Sequence, residues 1–304
     1  MKIFAARALE ALLSLWLLAT LCFFLLRAAP GGPFDTEKAA PPEVQAQLAA
    51  QYHLDQPLIA QYGHWLGDLV RGDLGPSFQY PDYRVSELIA QSLPVSTLNG
   101  LLALCLALLG GLALGSAAAL RAGSWWDRLL MVGASLGLAM PKFVVAPLLI
   151  LLFAVTLRWL PAGGWDGGWR PMVLPVIALA LPNLAYCARL MRASLIDVLG
   201  ADYMQAARGR GLSATRLLFA HALRPALLPI AAWLSPALIN VVSGSAVVEQ
   251  VFGIPGIGRY FVQGALNRDY TLVLGVVLVL GAAIVLINTA VDWLRALLDP
   301  RLRD

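Results

Sequence analysis

The run from Leu88 to Leu120 contains no acidic or basic residue. A helix needs about 20 predominantly apolar residues to cross the roughly 30 Å hydrocarbon core of a bilayer, so this run alone predicts a membrane-spanning helix. Of the 304 residues in the chain, 59% are hydrophobic and 13% are charged, whereas about 25% are charged in a soluble domain. These features exclude a soluble enzyme and predict an all-α membrane protein.

We predict six transmembrane helices. The first is an uncleaved anchor, because its apolar stretch Ala11–Leu26 exceeds the roughly 7–15 residues usual in a signal peptide. The third is interrupted by Met140-Pro141-Lys142. The predicted helices lie within residues 1–29, 94–120, 129–157, 171–190, 225–248 and 270–293.

The charges of the connecting segments predict the orientation of the chain, because cytoplasmic loops carry an excess of Lys and Arg. Six arginines lie between Arg189 and Arg224. Residues 30–93 contain eight acidic side chains and three basic ones. We therefore expect both termini to be cytoplasmic and 30–93 to form a small periplasmic subdomain, with short helices at 42–48 and 58–70.

The chain lacks the residues that ATP hydrolysis or metal binding requires. None of its three lysines follows a glycine, as a phosphate-binding loop demands, so we expect ATP and Mg²⁺ to be bound by other chains. Its three histidines are dispersed and its three cysteines share no ligand spacing, which predicts no metal site. The segment Gly133–Gly137 matches the G-x-S-x-G elbow of hydrolases around Ser135. The alternative is that these small residues permit close helix packing, as do Gly111 and Gly115.

The predicted cytoplasmic segment 191–224 is the most informative part of the chain. Asp202 is a candidate N-cap of a short helix that Gly209 and Gly211 end, and Ser213 is a candidate cap of a second helical piece. Apolar side chains alternate with the arginines, and an amphipathic surface of this kind usually has a protein partner. These apolar residues are Tyr203, Met204, Leu212, Leu217, Leu218 and Phe219.

The motif in this segment resembles the EAA loop of the inner-membrane permeases of binding-protein-dependent ABC importers. It consists of Gln205-Ala206-Ala207, then Gly211, then Leu228-Pro229. Gln205 stands where the family has Glu, and His221-Ala-Leu-Arg-Pro225 stands where an I-x-L-P run is common. The second variation resembles the dipeptide and oligopeptide branch.

Two further segments resemble the same branch, and within it the B-type membrane subunits of oligopeptide permeases. Residues 72–78 (GDLGPSF) are similar to a G-D-x-G-x-S motif, and residues 243–258 (SGSAVVEQVFGIPGIG) to the most recognisable signature of the branch. The resemblance covers essentially the whole chain. It implies the MetI-like fold of type I importers and a bacterial inner-membrane location.

The resemblance also implies the function and the partners. Such a subunit forms half of a translocation path, pairs with a second homologous permease, binds two ATPase subunits and receives peptide from a periplasmic binding protein, with no cofactor of its own and no nucleic acid. The loop would supply the ATPase-coupling helix. Its predicted residues are Asp202, Tyr203, Gln205, Ala206, Ala207, Gly211 and Leu212.

Three polar residues are candidates for the translocation path or its gate. Lys142 is a charge inside a predicted span, Asn240 lies within span five and Glu249 lies at its outer end. Charges inside a membrane are costly and usually functional. Simpler interpretations are a structural pair for Lys142, a helix–helix bond for Asn240 and an interface charge for Glu249.

The sequence leaves the cargo open among oligopeptides, dipeptides, glutathione and nickel chelates. An intramembrane hydrolase that uses Ser135 is a remote alternative from a different class. A self-sufficient channel is disfavoured, because the cytoplasmic loop would then have no purpose.

Overall fold

A computed structural model of the chain describes residues 2–28, 54–80 and 82–298, with side chains described for 9–28, 54–80, 82–242 and 245–291. These residues form helices joined by turns and loops, with one isolated antiparallel bridge between Pro76 and Arg84 and no strand among them. The helices are α1 (Lys2–Ala28), α2 (Leu58–Val70), α3 (Val85–Leu120), α4 (Trp125–Ala139), α5 (Lys142–Leu149, continued by a π-helix, Ile150–Thr156), α6 (Arg170–Gly200), α7 (Asp202–Gly209), α8 (Ala214–Arg216, continued by a π-helix, Leu217–Ala222), α9 (Leu223–Ala226), α10 (Leu228–Phe252), α11 (Ile257–Leu266) and α12 (Tyr270–Leu298).

Within the described residues, five helices are long and apolar enough to cross a membrane: α1, α3, α6, α10 and α12. A sixth span results if the bent pair α4 and α5, with the π-helix that follows α5, is counted as one. This arrangement confirms the predicted all-α fold and five of its predicted spans, and the bent pair corresponds to the predicted third span.

Helix α3 begins at Val85, nine residues before the predicted start at Pro94. The proline therefore lies inside the helix, where it removes one backbone hydrogen bond. The additional residues are held by burial of their apolar face, because Val85, Leu88 and Ile89 pack in one core with Leu272. Burial of this face offsets the lost hydrogen bond, and so the helix extends past the proline.

The predicted interruption of the third span is present. Met140 is extended, with φ −86° and ψ 119°, and α5 begins directly after Pro141. A proline disfavours the helical conformation of the residue before it and has no N–H to continue the ladder. The two halves consequently meet at a bend of 106°.

Helix α6 continues to Gly200, so the first ten residues of the predicted cytoplasmic segment 191–224 are helical rather than looped. Met191 and Leu195, one turn apart, are fully buried. They belong to an apolar core with Met204, Leu217 and Ile230. This core extends α6 beyond the apolar stretch that sequence hydropathy detects.

The chain forms two compact units. The first contains Met1–Val95 and Pro255–Val285, and the second contains Ser96–Ile254 and Leu286–Asp304. The predicted helix at 42–48 lies outside the described residues. The predicted periplasmic subdomain 30–93 stays a prediction, because the structure leaves 29–53 and 81 undescribed.

In the first unit, an aromatic cluster joins α1 to α2, which has the predicted bounds Leu58–Val70. Phe23 is fully buried, and its ring lies 5.2 Å from that of Tyr62 in an edge-to-face arrangement. The hydroxyls of Thr20 and Tyr62 share a hydrogen bond of 2.8 Å. Arg27 Nε donates to Gln61 Oε1 at 2.9 Å. Helix α2 therefore packs on the end of α1.

Candidate functional site

The candidate coupling segment is α7 with the turn that follows it. Ala201, not Asp202, is the N-cap residue of α7, and no side chain caps the helix. Asp202 lies in the first turn, where its negative charge interacts favourably with the helix dipole and stabilises the helix. Arg208 Nη2 donates to the carbonyl of Leu199 at 3.2 Å, which ties α7 back to the end of α6.

Helix α7 has one buried face and one exposed face. Met204 is fully buried in the core with Leu195 and Leu217, and Ala207 packs against the same core. The opposite face presents Tyr203, which is 51% exposed, together with Gln205 and Ala206. The helix is thus held by its own chain on one side and open on the other.

The turn after α7 depends on Gly211. Its φ is +78°, which L-residues with a Cβ rarely adopt, and its N–H bonds to the carbonyl of Arg208 at 2.9 Å. Leu212 is half-buried against the core. The Ser213 side chain then accepts a hydrogen bond from the N–H of Arg216 at 3.4 Å. The predicted break at the glycines and the predicted cap at Ser213 are confirmed.

Several apolar residues that predicted a partner surface lie inside the chain's own core. Met204 is fully buried and Leu217 is 6% exposed, whereas Leu218 is half-buried. Only Tyr203 and Phe219, the latter 67% exposed, remain strongly exposed. Sequence periodicity could not separate these groups, because the turn at Gly211 interrupts the helical spacing between α7 and α8.

An ion pair that the sequence does not predict connects α4 to α6. Arg192 donates from Nε and Nη2 to the two carboxylate oxygens of Asp127 at 2.6 and 2.7 Å. Asp127 is 2% exposed and also accepts from the N–H of Gly123 at 2.9 Å. In the sequence, Arg192 is one of the positive charges that predict the orientation of the chain. No pattern in the sequence pairs positions 65 residues apart.

Two of the three candidate path residues lie together. Lys142 begins α5 at the break of the third span, and its Nζ donates to Asn240 Oδ1 at 2.6 Å and to the Asn240 carbonyl at 3.0 Å. Lys142 is half-buried and Asn240 is exposed. The break in one span thereby places an ammonium against a polar position of another.

Glu249 lies apart from this pair. It is fully buried, and Ser96 Oγ donates to Glu249 Oε1 at 2.6 Å. Its carboxylate is therefore not exposed within this chain, and its role in the translocation path or its gate stays a prediction. Gly253, with φ +66°, ends α10 just beyond it. Asn288 bonds to Ser235 on a neighbouring helix.

The motif at 72–78 has a structural role in the first unit, where its side chains form hydrogen bonds and an ion pair. Asp73 accepts from the N–H of Gly75 at 3.0 Å and pairs with Arg84 at 2.7 Å. Ser77, which is fully buried, donates to Asp269 at 2.5 Å. These bonds hold the segment before α3 against the start of α12.

The backbone at Ser135 is that of a continuous helix and does not match the hydrolase elbow. The Ser135 hydroxyl donates to the carbonyl of Met131 one turn earlier in α4, whereas the hydrolase elbow requires a strand-to-helix turn. A Cβ added at Gly137 would lie 3.2 Å from that of Ala185, and one at Gly111 would lie 2.6 Å from that of Cys187. These positions support the packing interpretation. The described residues contain no group of three or more side chains that could hold a metal.

The chain matches one family model and is similar to curated relatives along its whole length. The model described as "Binding-protein-dependent transport system inner membrane component" matches residues 111–304. The oligopeptide transport system permease protein OppB of Haemophilus influenzae is 49% identical, over 100% of this chain and 99% of the relative. OppB of Salmonella typhimurium is 47% identical over the same shares. The dipeptide transport system permease protein DppB of Bacillus subtilis is 40% identical, over 94% of this chain and 92% of the relative.

Solved structures show the same fold at lower identity. An amino acid ABC transporter with histidines and the MetNI methionine ABC transporter in inward-facing conformations each match with a TM-score of 0.51 and 18% identity. Each match covers 71% of this chain and 94% of the solved chain. The chain therefore belongs to the inner-membrane components of binding-protein-dependent transport systems, the multi-pass permeases of ABC importers.

Proposed function

We propose that this chain is the permease subunit forming half of the translocation path of an ATP-driven oligopeptide importer. Its α7 is the coupling helix that docks on an ATPase subunit, and both termini are cytoplasmic. The observation that supports the assignment of α7 as the coupling helix is that the helix has one buried face and one exposed face. Met204 anchors it in the core, while Tyr203, Gln205 and Ala206 face outward.

The packing of α7 explains how motion would pass from an ATPase to the spans. Met204 shares its core with Met191 and Leu195 of α6 and with Ile230 of α10. Ser194 of α6 also donates to the carbonyl of Ala226 at 3.0 Å. Close-packed interiors transmit displacement rather than absorb it. A push on α7 therefore moves the inner ends of two spans together.

The Lys142–Asn240 pair supports a polar path through this subunit. Interrupted helices at membrane depth are tolerated only where they face protein or a water-filled cavity. A charge at the bilayer centre costs about 3 kcal/mol on insertion scales, which favours an inward position. A peptide carries backbone amides and charged termini, for which such a lining provides hydrogen-bond partners.

The proposed cargo rests on the relatives. Those with 46–49% identity over the full length are named as oligopeptide permeases. The second candidate cargo is a dipeptide, because a relative with 40% identity carries that name. Members of this family work with a second permease, ATPases and a binding protein, and we expect ATP hydrolysis to reside in those ATPases. The arginines from Arg189 to Arg224 support the cytoplasmic assignment of α7.

The coupling role is tested with Ala206→Asp, because Ala206 is exposed on the outer face of α7 and its replacement leaves the core intact. Ala122→Asp is the matched control, since Ala122 is exposed in the turn between α3 and α4. In a deletion strain complemented with each variant, we expect Ala206→Asp to abolish uptake of a labelled tripeptide and Ala122→Asp to retain it. Both variants should reach the membrane at the parental level.

Co-purification in a mild detergent supplies the second measurement. We expect the parent and Ala122→Asp to retain the ATPase subunits and Ala206→Asp to lose them. Full uptake and full ATPase recovery with Ala206→Asp would refute the assignment of α7. Competition of the labelled tripeptide with pentapeptides, dipeptides, glutathione and nickel chelates then identifies the cargo class.

A further inference from the structure

A cavity of about 370 Å³ lies between α4, from Asp127 to Ser135, and the second half of α6. Its lining contains three guanidinium groups, from Arg128, Arg189 and Arg192, and one carboxylate, from Asp127. Ala193 forms part of the wall. The coupling segment and the Lys142–Asn240 pair do not contribute to this cavity.

The cavity retains excess positive charge after its internal pairing is counted. Asp127 is occupied by the two bonds from Arg192 and by the N–H of Gly123. Arg128 makes only a 3.5 Å contact with the Gly123 carbonyl, and Arg189 is exposed. No carboxylate of the described residues lies within ion-pair distance of these two arginines. Guanidinium groups bind phosphate through paired hydrogen bonds, so the cavity is suited to a phosphate-bearing anion.

The residues beside this cavity are of the kind found at the level of lipid headgroups. Trp125 and Trp126, at the first turn of α4, are 61% and 50% exposed. Exposed tryptophans mark the interface between headgroups and hydrocarbon. Leu129, Val132 and Leu136 follow at helical spacing and are exposed in turn. A phosphate in the cavity would therefore have an apolar stripe beside it, where acyl chains lie.

We propose that this cavity binds the phosphate of an anionic phospholipid. Arg128 and Arg189 hold the phosphate, Arg192 remains paired with Asp127, and the acyl chains follow the apolar stripe of α4. A free phosphate would also contact the arginines, but it has no acyl chains to contact the apolar stripe. The stripe therefore favours the lipid over free phosphate. A bound lipid would link α4 to α6. The site is independent of cargo and of the coupling assignment, and it stands if either fails.

The test uses the assembled importer, stripped of lipid in mild detergent and titrated with phosphatidylglycerol or phosphatidylcholine, with bound lipid counted by native mass spectrometry. The test variant is Arg128→Gln with Arg189→Gln. The matched control is Arg121→Gln, which removes an exposed arginine from the turn before α4. We expect phosphatidylglycerol to bind more tightly than phosphatidylcholine. Its affinity should fall about fivefold for each test arginine, the ratio corresponding to about 1 kcal/mol, and stay unchanged in the control.

A second variant tests the cavity without changing its charge. Ala193→Trp fills the space between the arginines, and we expect it to weaken phosphatidylglycerol binding as well. Parental affinity in the double arginine variant would overturn the proposal, as would an equal loss in Arg121→Gln. Displacement of the lipid by millimolar inorganic phosphate would show an anion site without lipid specificity and also overturn it. If the double variant fails to assemble on size exclusion, Arg189→Gln alone decides the question.

Discussion

The turn at Gly211 allows the geometry of the coupling segment to be tested by a single methyl group. A Cβ added at Gly211 meets no atom within 4 Å, so Gly211→Ala introduces no clash. The residue has a φ of +78°, however, where an L-residue costs about 1–2 kcal/mol. The whole effect should therefore be backbone strain. A difference of this size lowers the population of the native turn about 5- to 30-fold.

Gly209 offers a matched control two residues away. A Cβ there also meets no atom within 4 Å, and the residue ends α7 with an ordinary helical φ. Alanine favours a helix over glycine by up to about 1 kcal/mol. Gly209→Ala should therefore be neutral or stabilising, although the chemical change is identical to that at Gly211.

The assay is hydrogen–deuterium exchange of the purified importer, followed in peptides that cover residues 202–213. We expect Gly211→Ala to accelerate exchange in this segment by roughly the same 5- to 30-fold factor. Gly211→Asn should accelerate it less, because asparagine tolerates the left-handed region. Equal exchange in Gly211→Ala and Gly209→Ala would refute the argument that the turn requires a left-handed residue.

Three further predictions concern the spans. Arg192→Met leaves the buried Asp127 carboxylate without its arginine and should cost about 3–5 kcal/mol of stability, measured as a lower unfolding temperature in detergent. Adding Asp127→Ala should restore part of the lost stability. No recovery in the double variant would contradict the stabilising role of the ion pair. A Cβ at Gly115 would overlap the Ala188 carbonyl, so Gly115→Ala should cost about 1–3 kcal/mol of stability. Gly133→Ala should leave the stability unchanged, because a Cβ at Gly133 meets no atom within 4 Å. Equal thermal stabilities of the two variants would show that the helix contact at Gly115 is loose. Lys142→Met removes a costly intramembrane charge, so the amount of protein in the membrane should stay at the parental level or rise. Uptake of the labelled tripeptide should slow several-fold. Uptake at the parental rate would exclude an ammonium group in the translocation path.

The break in the third span could be predicted because its cause is local. Proline has no N–H and restricts the residue before it, so the interruption at Met140-Pro141 follows from the order of residues alone. The glycine break after α7 and the cap at Ser213 are local in the same sense. Each depends on the conformational preference of one residue and on hydrogen bonds to its near neighbours.

Helix ends supported by distant packing could not be predicted in this way. The second predicted span begins at Pro94, whereas α3 starts at Val85. The fourth predicted span ends at 190, whereas α6 continues to Gly200. Both extensions are stabilised by cores formed with residues far away in the chain, such as Leu272 and Leu217. Hydropathy within a sequence window does not contain that information.

The sequence by itself determined the all-α membrane fold, the six spans, the family and the segment that contains α7. These properties follow from the length of uncharged runs and from motifs that are continuous in the chain. Only the tertiary structure decided which side chains of that segment face outward and which partners the polar groups have. Met204 is buried, Lys142 bonds to Asn240, Glu249 bonds to Ser96, and Asp127 pairs with Arg192. The physical reason is that burial and pairing depend on how helices distant in sequence are rotated against one another, and an apolar helix in a membrane protein carries little pattern that specifies its rotation.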